Sequence, residues 1–210
     1  FFADHVEAML KPLSVGTEAK KSYVSFQPTG VIFGIMPWNY PFWQVFRFAI
    51  PTLLAGNTVV VKHAPNTWGC GEHIEELFRE MGCPGGIFQH LRIDVPAAEL
   101  LIVDRSITGV SLTGSTRAGR RVGGIAGQNL KKCVLELGGS DPYIVLDDAD
   151  IDLAAKTCVQ GRMINGGQSC VAAKRWIVTN KNFDEFQGKV LELLKSKVMG
   201  DPTNPKTDLG

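Results

Sequence analysis

Six short stretches of the 210-residue chain carry side chains that could do chemistry. Asn165-Gly166-Gly167-Gln168-Ser169-Cys170 sets a thiol behind two glycines, which let the backbone turn sharply and let another molecule come close. An exposed thiolate is a nucleophile, whereas a buried cysteine is a small hydrophobe. Leu135-Glu136-Leu137-Gly138-Gly139 holds a carboxylate inside an apolar run. Burial there would suit Glu136 to take a proton as a general base; the alternative is pairing with Lys131 or Lys132. In Met36-Pro37-Trp38-Asn39-Tyr40-Pro41 two prolines stiffen a loop, and the Asn39 amide is a donor able to steady an oxyanion. Gly114-Ser115, after the run Val110-Ser111-Leu112-Thr113, opens a helix. That end offers free N–H groups to an anion, or Ser115 serves only as the helix cap. Arg120-Arg121 stands where a P-loop needs Lys-Ser/Thr. Lys62, closing Thr58-Val59-Val60-Val61, can reach a ribose or phosphate, or snorkel to solvent. Arg47 is the only charge between Asn39 and Lys62, among Phe42, Trp43, Val45 and Phe46. Its planar fork suits a carboxylate, either of a ligand or of an acidic residue on a neighbouring helix.

The elements that must position these residues are legible from periodicity. Short apolar runs (Val31–Ile35, Thr58–Val61, Ile87-Phe88, Gly109–Leu112, Cys133–Leu135, Tyr143–Leu146) alternate with helical patterns. The helices are expected over Phe42–Ala55, Thr67–Met81, Pro96–Val103, Ser115–Gly127 and Ile151–Ile164. Unbroken apolar strands are those covered on both faces, and strand–helix alternation winds them into a doubly wound, mostly parallel sheet. Ligands of such sheets bind outside the carboxyl ends of the strands, which is where the chemical motifs fall. A helix over Ala3–Met9 and a strand over Lys21–Phe26 precede the sheet. The expected organisation is an N-terminal helix and arm (1–27), a dinucleotide-binding domain (28–136) and the first part of a second α/β domain (137–210). The arm is expected to reach toward another copy of the chain.

Composition removes other classes. Lys+Arg 22 against Asp+Glu 21 leaves a formal net charge of +1, without the basic footprint of a nucleic-acid or membrane-surface binder. The longest apolar stretch is interrupted by Gln44, Arg47 and Pro51, so no transmembrane helix is expected. Five cysteines without a C-x-x-C pair argue against a disulfide framework and for a reducing, cytoplasmic setting. Four histidines without H-E-x-x-H leave no metal site to propose. The chain opens inside a helical pattern and stops without closing one, as a segment of something longer would.

The order Pro37-Trp38-Asn39-x-Pro41, Val61-Lys62, Thr113-Gly114-Ser115, Leu135-Glu136-Leu137-Gly138-Gly139 and Gly167-Gln168-Ser169-Cys170 resembles the aldehyde dehydrogenase superfamily over essentially the whole chain. Within it, Ile35 to Arg47 and Leu135 to Pro142 are most similar to bacterial NAD(P)-dependent succinate-semialdehyde dehydrogenases. The resemblance implies a homo-oligomeric enzyme that oxidises a small aldehyde with NAD or NADP. It implies Cys170 as nucleophile, Asn39 and the Cys170 N–H as oxyanion donors, and Glu136 as activator of the hydrolytic water. It implies Trp38, Lys62, Gly114, Ser115 and Leu137 as cofactor contacts, and Arg47 and Trp43 as substrate contacts.

Three positions depart from the family pattern. Pro65 replaces the Glu common in NAD-preferring members, Leu91-Arg92-Ile93-Asp94 replaces a glycine-containing stretch, and Ile164 stands where mammalian succinate-semialdehyde dehydrogenases carry an Arg. The family's Glu-x-Phe-Gly-Pro block is not in this sequence. The alternatives are an inactive cofactor-binding fragment and a thiol-dependent acyl hydrolase.

Overall fold

A computed structural model describes all 210 residues. Helix α1 (Phe2–Met9) is followed by the antiparallel strands β1 (Leu13–Ser14) and β2 (Tyr23–Val24), with Leu13 opposite Val24. This pair forms its own two-stranded sheet, and Tyr23, Val24 and Phe26 are exposed.

The strands β3 (Val31–Met36), β4 (Thr58–His63), β5 (Phe88–His90), β6 (Ile107–Gly114) and β7 (Lys132–Leu137) lie in the order β5-β4-β3-β6-β7, every pair parallel. The chain builds outward from β3 through β4 to β5, then crosses back to β6 and β7. The carboxyl ends of β3 and β6 therefore flank the topological switch point, the place where such sheets hold ligands.

Helices α2 (Trp43–Leu54), α3 (Trp68–Glu80), α4 (Val95–Val103) and α5 (Thr116–Gln128) connect these strands. Strand side chains alternate between faces, and each face buries its own cluster. Met36, Val59 and Val61 pack with Val45 and Ala49 of α2 and Ile74 and Phe78 of α3. Phe33, Val110 and Leu112 pack with Ala98 and Ile102 of α4 and Val122 and Ala126 of α5. Each fully buried Phe, Val or Ile contributes about 1.5–3 kcal/mol, so the two clusters hold helices on both faces of the sheet. The doubly wound parallel sheet expected from the alternation is present.

The edge strand β7 departs from the expectation of burial on both faces. Lys132, Val134, Leu135 and Glu136 are exposed, and only Cys133 and Leu137 reach the cluster beneath α5. An edge strand has a neighbour on one side only, and no helix of this unit covers the face it shares with Lys132, Val134 and Glu136.

Residues Phe1–Leu137 form one compact unit and Gly138–Gly210 a second. In the second, β8 (Pro142–Val145) pairs in parallel with β9 (Arg175–Val178), while α6 (Ile151–Met163) and α7 (Phe183–Lys195) pack together. Val145, Ala155, Val159, Phe186 and Val190 are its core. β9 and α7 lie beyond the last apolar run singled out in the sequence.

Candidate active site

The parallel register lines up four motifs along one edge of the sheet. Ile35 pairs with Lys62 on one side and with Leu112 on the other, and Thr113 pairs with Glu136. The turn with Trp38 and Asn39, the side chain of Lys62, the Gly114-Ser115 junction and Glu136 all stand at the carboxyl ends of their strands. Asn39 is half-buried and Trp38 is exposed.

Gly114 ends β6, and the Ser115 Oγ accepts a hydrogen bond from Ala118 N at 3.2 Å, capping α5. The cap reading of Ser115 is realised, and it leaves other N–H groups of the first turn facing the strand end, where a helix start favours an anion. Gly119, one turn on, lets the helix sit close, since a Cβ there would lie 2.6 Å from Leu137 Cδ2 and force that side chain to shift. Leu137 thus seats α5 close against β7.

Lys62 does not snorkel. It is buried, and its Nζ donates to the His63 carbonyl at 3.2 Å. Burial lowers the pKa of its ammonium and the nearby Asp94 opposes that shift. Beside it, between α4 and α5, lies a cavity of about 100 Å³ walled by Ile35, Val95, Ala98, Leu112 and Val122. At its rim Arg121 donates twice to Glu99, at 2.7 and 2.6 Å, tying the two helices together. An apolar slot between helices, a cation and a capped helix start thus gather at the switch point, groups of the kinds that a dinucleotide would require.

Arg47 and Glu136 meet across a second hollow. Alternation along β7 turns Lys132, Val134 and Glu136 toward α2, and these line a cleft of about 580 Å³ with Gln44, Arg47 and Thr113. Arg47 Nη2 lies 3.6 Å from Glu136 Oε2, with the side chains 44% and 51% exposed. This corrects two expectations. Glu136 is not desolvated within its unit, and its partner is neither Lys131 nor Lys132. The anion beside Arg47 is a carboxylate of the protein, on a strand rather than a helix. Trp43, in the first turn of α2, is exposed.

The chain belongs to the aldehyde dehydrogenase family. The family's model matches residues 1–210. The chain is 48% identical over 210 residues to a probable NADP(+) succinate-semialdehyde dehydrogenase of Synechocystis sp., covering all of this chain and 46% of that protein. It is 45% identical to a succinate semialdehyde dehydrogenase [NAD(P)+] of Escherichia coli, again over 100% of this chain and 46% of the relative. It superposes on the NADP+ complex of Streptococcus pyogenes succinic semialdehyde dehydrogenase with a TM-score of 0.96 at 38% identity, covering 99% of this chain and 46% of that one. The chain therefore spans about half the length of the aldehyde dehydrogenases it matches.

Cys170 belongs to the second unit, on the segment from α6 to β9. It is exposed, while Cys158 is buried and Cys70, Cys83 and Cys133 are partly buried. The segment turns through three consecutive left-handed residues, Asn165 (φ 52°), Gly166 (φ 64°) and Gly167 (φ 78°). Gly166 and Gly167 adopt these angles without the Cβ penalty other residues meet. Arg162, near the end of α6, donates to carbonyls on both sides of Cys170. Arg162 leaves no spacing signal in the sequence because its partners are backbone atoms.

His63 and the half-buried His90 form a pair that leaves no motif in the sequence either. His63 is fully buried, with Nε2 3.1 Å from the Pro41 carbonyl, and its ring meets His90 edge-on at 5.0 Å. Burial lowers both pKa values, and at His90 the charge of Glu75, whose carboxylate accepts a hydrogen bond from the His90 backbone N–H, opposes the shift. Gly71 of α3 passes directly over them, since a Cβ there would lie 2.3 Å from His90 Cδ2 and 2.6 Å from His63 Nδ1.

Proposed function

We propose that this chain is part of an NAD(P)-dependent aldehyde dehydrogenase acting on a short aldehyde that carries a distal carboxylate, such as succinate semialdehyde. The observation that carries this reading is the edge of the first sheet. Asn39, Lys62, Ser115 and Glu136 stand at strand ends in register, and Arg47 shares a cleft with Glu136. Lys62 and the start of α5 would hold the ribose and pyrophosphate, with Gly114 and Leu137 giving close approach and Trp38 standing toward the nicotinamide end. When bound, the oxidised nicotinamide supplies the acceptor for the hydride that leaves the aldehyde carbon.

The protein's own groups do the remainder. The Cys170 sulfur adds to the carbonyl carbon, forming a C–S bond and moving the π electrons onto oxygen. The Asn39 side chain and the Cys170 N–H donate to that oxyanion, each such donor being worth about 10²–10³ in rate. After oxidation the carbon is a thioester. Glu136 takes a proton from water as the water oxygen adds to that carbon, and the C–S bond breaks to release the acid and the thiolate. Arg47, with Trp43 beside it on α2, would take the distal carboxylate in a two-pronged contact.

The relatives act under names that specify NADP(+) or NAD(P)+, and the same pair of cofactors is proposed here. Five free cysteines suit a reducing cytoplasm, and no helix is long and apolar enough to cross a membrane. The exposed Tyr23, Val24 and Phe26 of the β2 arm are read as a surface for a second copy of the chain.

The test is reduction of NADP or NAD by the full-length protein with succinate semialdehyde, followed at the absorbance of the reduced cofactor. Turnover that disappears in Cys170→Ala supports the reading. Turnover that survives the substitution, or activated-ester hydrolysis without cofactor as the only activity, overturns it.

A further inference from the structure

We propose that Arg162 is the positioning residue of the nucleophile: its guanidinium clamps the backbone on both sides of Cys170 and holds the thiol and its N–H ready for acyl chemistry. The inference rests on the reading of Cys170 as nucleophile.

Three contacts carry it. Arg162 Nη2 donates to the Gly167 carbonyl at 2.8 Å, three residues before the cysteine. Nη1 donates to the Ala172 carbonyl at 3.1 Å and to the Ala173 carbonyl at 3.3 Å, two and three residues after it. The two anchored stretches are thus tied to one rigid planar group while the intervening residues, with Cys170 exposed, form the tip. The tip closes on itself through Ala172 N donating to Ser169 O at 3.3 Å. Ala172 and Ala173 are buried, so the far anchor cannot drift.

The near anchor explains a glycine. A Cβ on Gly167 would lie 2.4 Å from Arg162 Nη2 and 3.1 Å from the Arg162 carbonyl. The backbone at 167 must therefore be bare for the guanidinium to reach its carbonyl, in addition to being left-handed. The glycine before Gln168 serves the clamp as well as the approach of a substrate.

The residue type follows from the task. Three carbonyls on two strands of one loop need several donors in a fixed plane, which a guanidinium has and an ammonium lacks. Arg162 also sits in the last turn of α6, where the helix dipole favours a cation and the charge needs no carboxylate to offset it. The contacts of Arg162 lie on the Cys170 segment of its own unit, so its removal should leave dinucleotide affinity alone and act on the sulfur chemistry.

The experiment uses the full-length protein and compares Arg162→Ala and Arg162→Lys with the parent. The pre-steady-state burst of reduced cofactor with succinate semialdehyde reports acylation. Dinucleotide affinity, by fluorescence quenching, reports the integrity of the cofactor site. A misplacement of about 1 Å costs about 10²-fold, so Arg162→Ala should lose about that much burst rate with unchanged dinucleotide affinity. Arg162→Lys should fall between the two, and guanidinium ion added to Arg162→Ala should restore part of the rate. A burst rate within twofold of the parent in Arg162→Ala overturns the proposal. A loss that neither guanidinium nor lysine relieves marks general damage and overturns it too. If Arg162→Ala does not fold, Arg162→Lys decides, an unchanged burst rate being the refuting result. Turnover persisting in Cys170→Ala would instead remove the nucleophile reading itself.

Discussion

Arg47 Nη2 stands 3.6 Å from Glu136 Oε2, so the cation proposed for the substrate and the carboxylate proposed for the hydrolytic water are paired with each other. Both side chains are about half exposed, and an ion pair of that kind contributes about 0–1 kcal/mol. Such a pair is easily opened. On the proposed reading, a substrate carboxylate arriving at Arg47 would compete with Glu136 and free it for the water that follows.

That competition has opposite consequences for the two partners. Arg47→Ala should reduce the preference for succinate semialdehyde over butyraldehyde, measured as the ratio of kcat/KM, by about twofold to fivefold, the upper part of the range of about 0–1 kcal/mol for a half-exposed charge pair. Glu136→Gln should tighten succinate semialdehyde binding by up to about fivefold while producing a burst followed by slow thioester hydrolysis. A ratio left intact in Arg47→Ala would mean that the carboxylate is read elsewhere. Steady turnover without a burst in Glu136→Gln would take the water-activating role from Glu136.

The cysteines should separate by exposure. Cys170 is exposed, whereas burial pushes the Cys133 and Cys158 thiols up and away from the reactive thiolate. One equivalent of iodoacetamide on the native protein should label Cys170 first, and loss of aldehyde oxidation should track that label in peptide mass maps. First labelling at Cys70 or Cys83 with activity already gone would contradict the assignment.

Cofactor choice should be permissive. Pro65 opens the short 3-10 turn Pro65–Thr67 three residues after Lys62, and it brings no carboxylate to repel a 2′-phosphate. NAD should therefore not be preferred over NADP by more than about 100-fold, near 2.7 kcal/mol. Pro65→Glu should move the ratio of kcat/KM values toward NAD by about tenfold or more. A strong NAD preference in the parent would require a discriminating group elsewhere.

Stability should fall on acidification. Burial lowers the folded-state pKa of His63 and His90 from the ordinary 6.5, with Lys62 acting in the same direction on both and Glu75 opposing at His90. Their contribution is whole above about pH 6.5, where both states are neutral. Below it the unfolded chain takes protons that the fold refuses, and stability drops by up to about 1.4 kcal/mol per pH unit for each histidine until the folded pKa is reached. Urea unfolding at pH 7.5 and 5.5 should show a lower midpoint at the acid value, and His63→Asn should flatten the difference. Equal midpoints in the parent would refute it.

Periodicity, spacing and resemblance carried much of this protein. The runs Val31–Ile35, Thr58–Val61 and Gly109–Leu112 are apolar without alternation because helices cover both faces of the sheet there. That pattern specifies parallel strands, and with them a ligand edge at the carboxyl ends of β3 and β6. Lys62, Ser115 and Glu136 could be placed on that edge from their positions after apolar runs. Burial, partners and polarity could not be placed so, because they depend on what lies across space. β7 is an edge strand, so Glu136 is open to solvent and to Arg47, 89 residues earlier in the chain. Lys62 is buried where a lone strand-end lysine would be expected to reach water, because α4 closes over it. Arg162 holds the Cys170 segment through backbone carbonyls, which carry no residue identity and leave no motif. Local chemistry decides which residues can act; only the packed chain decides which of them touch.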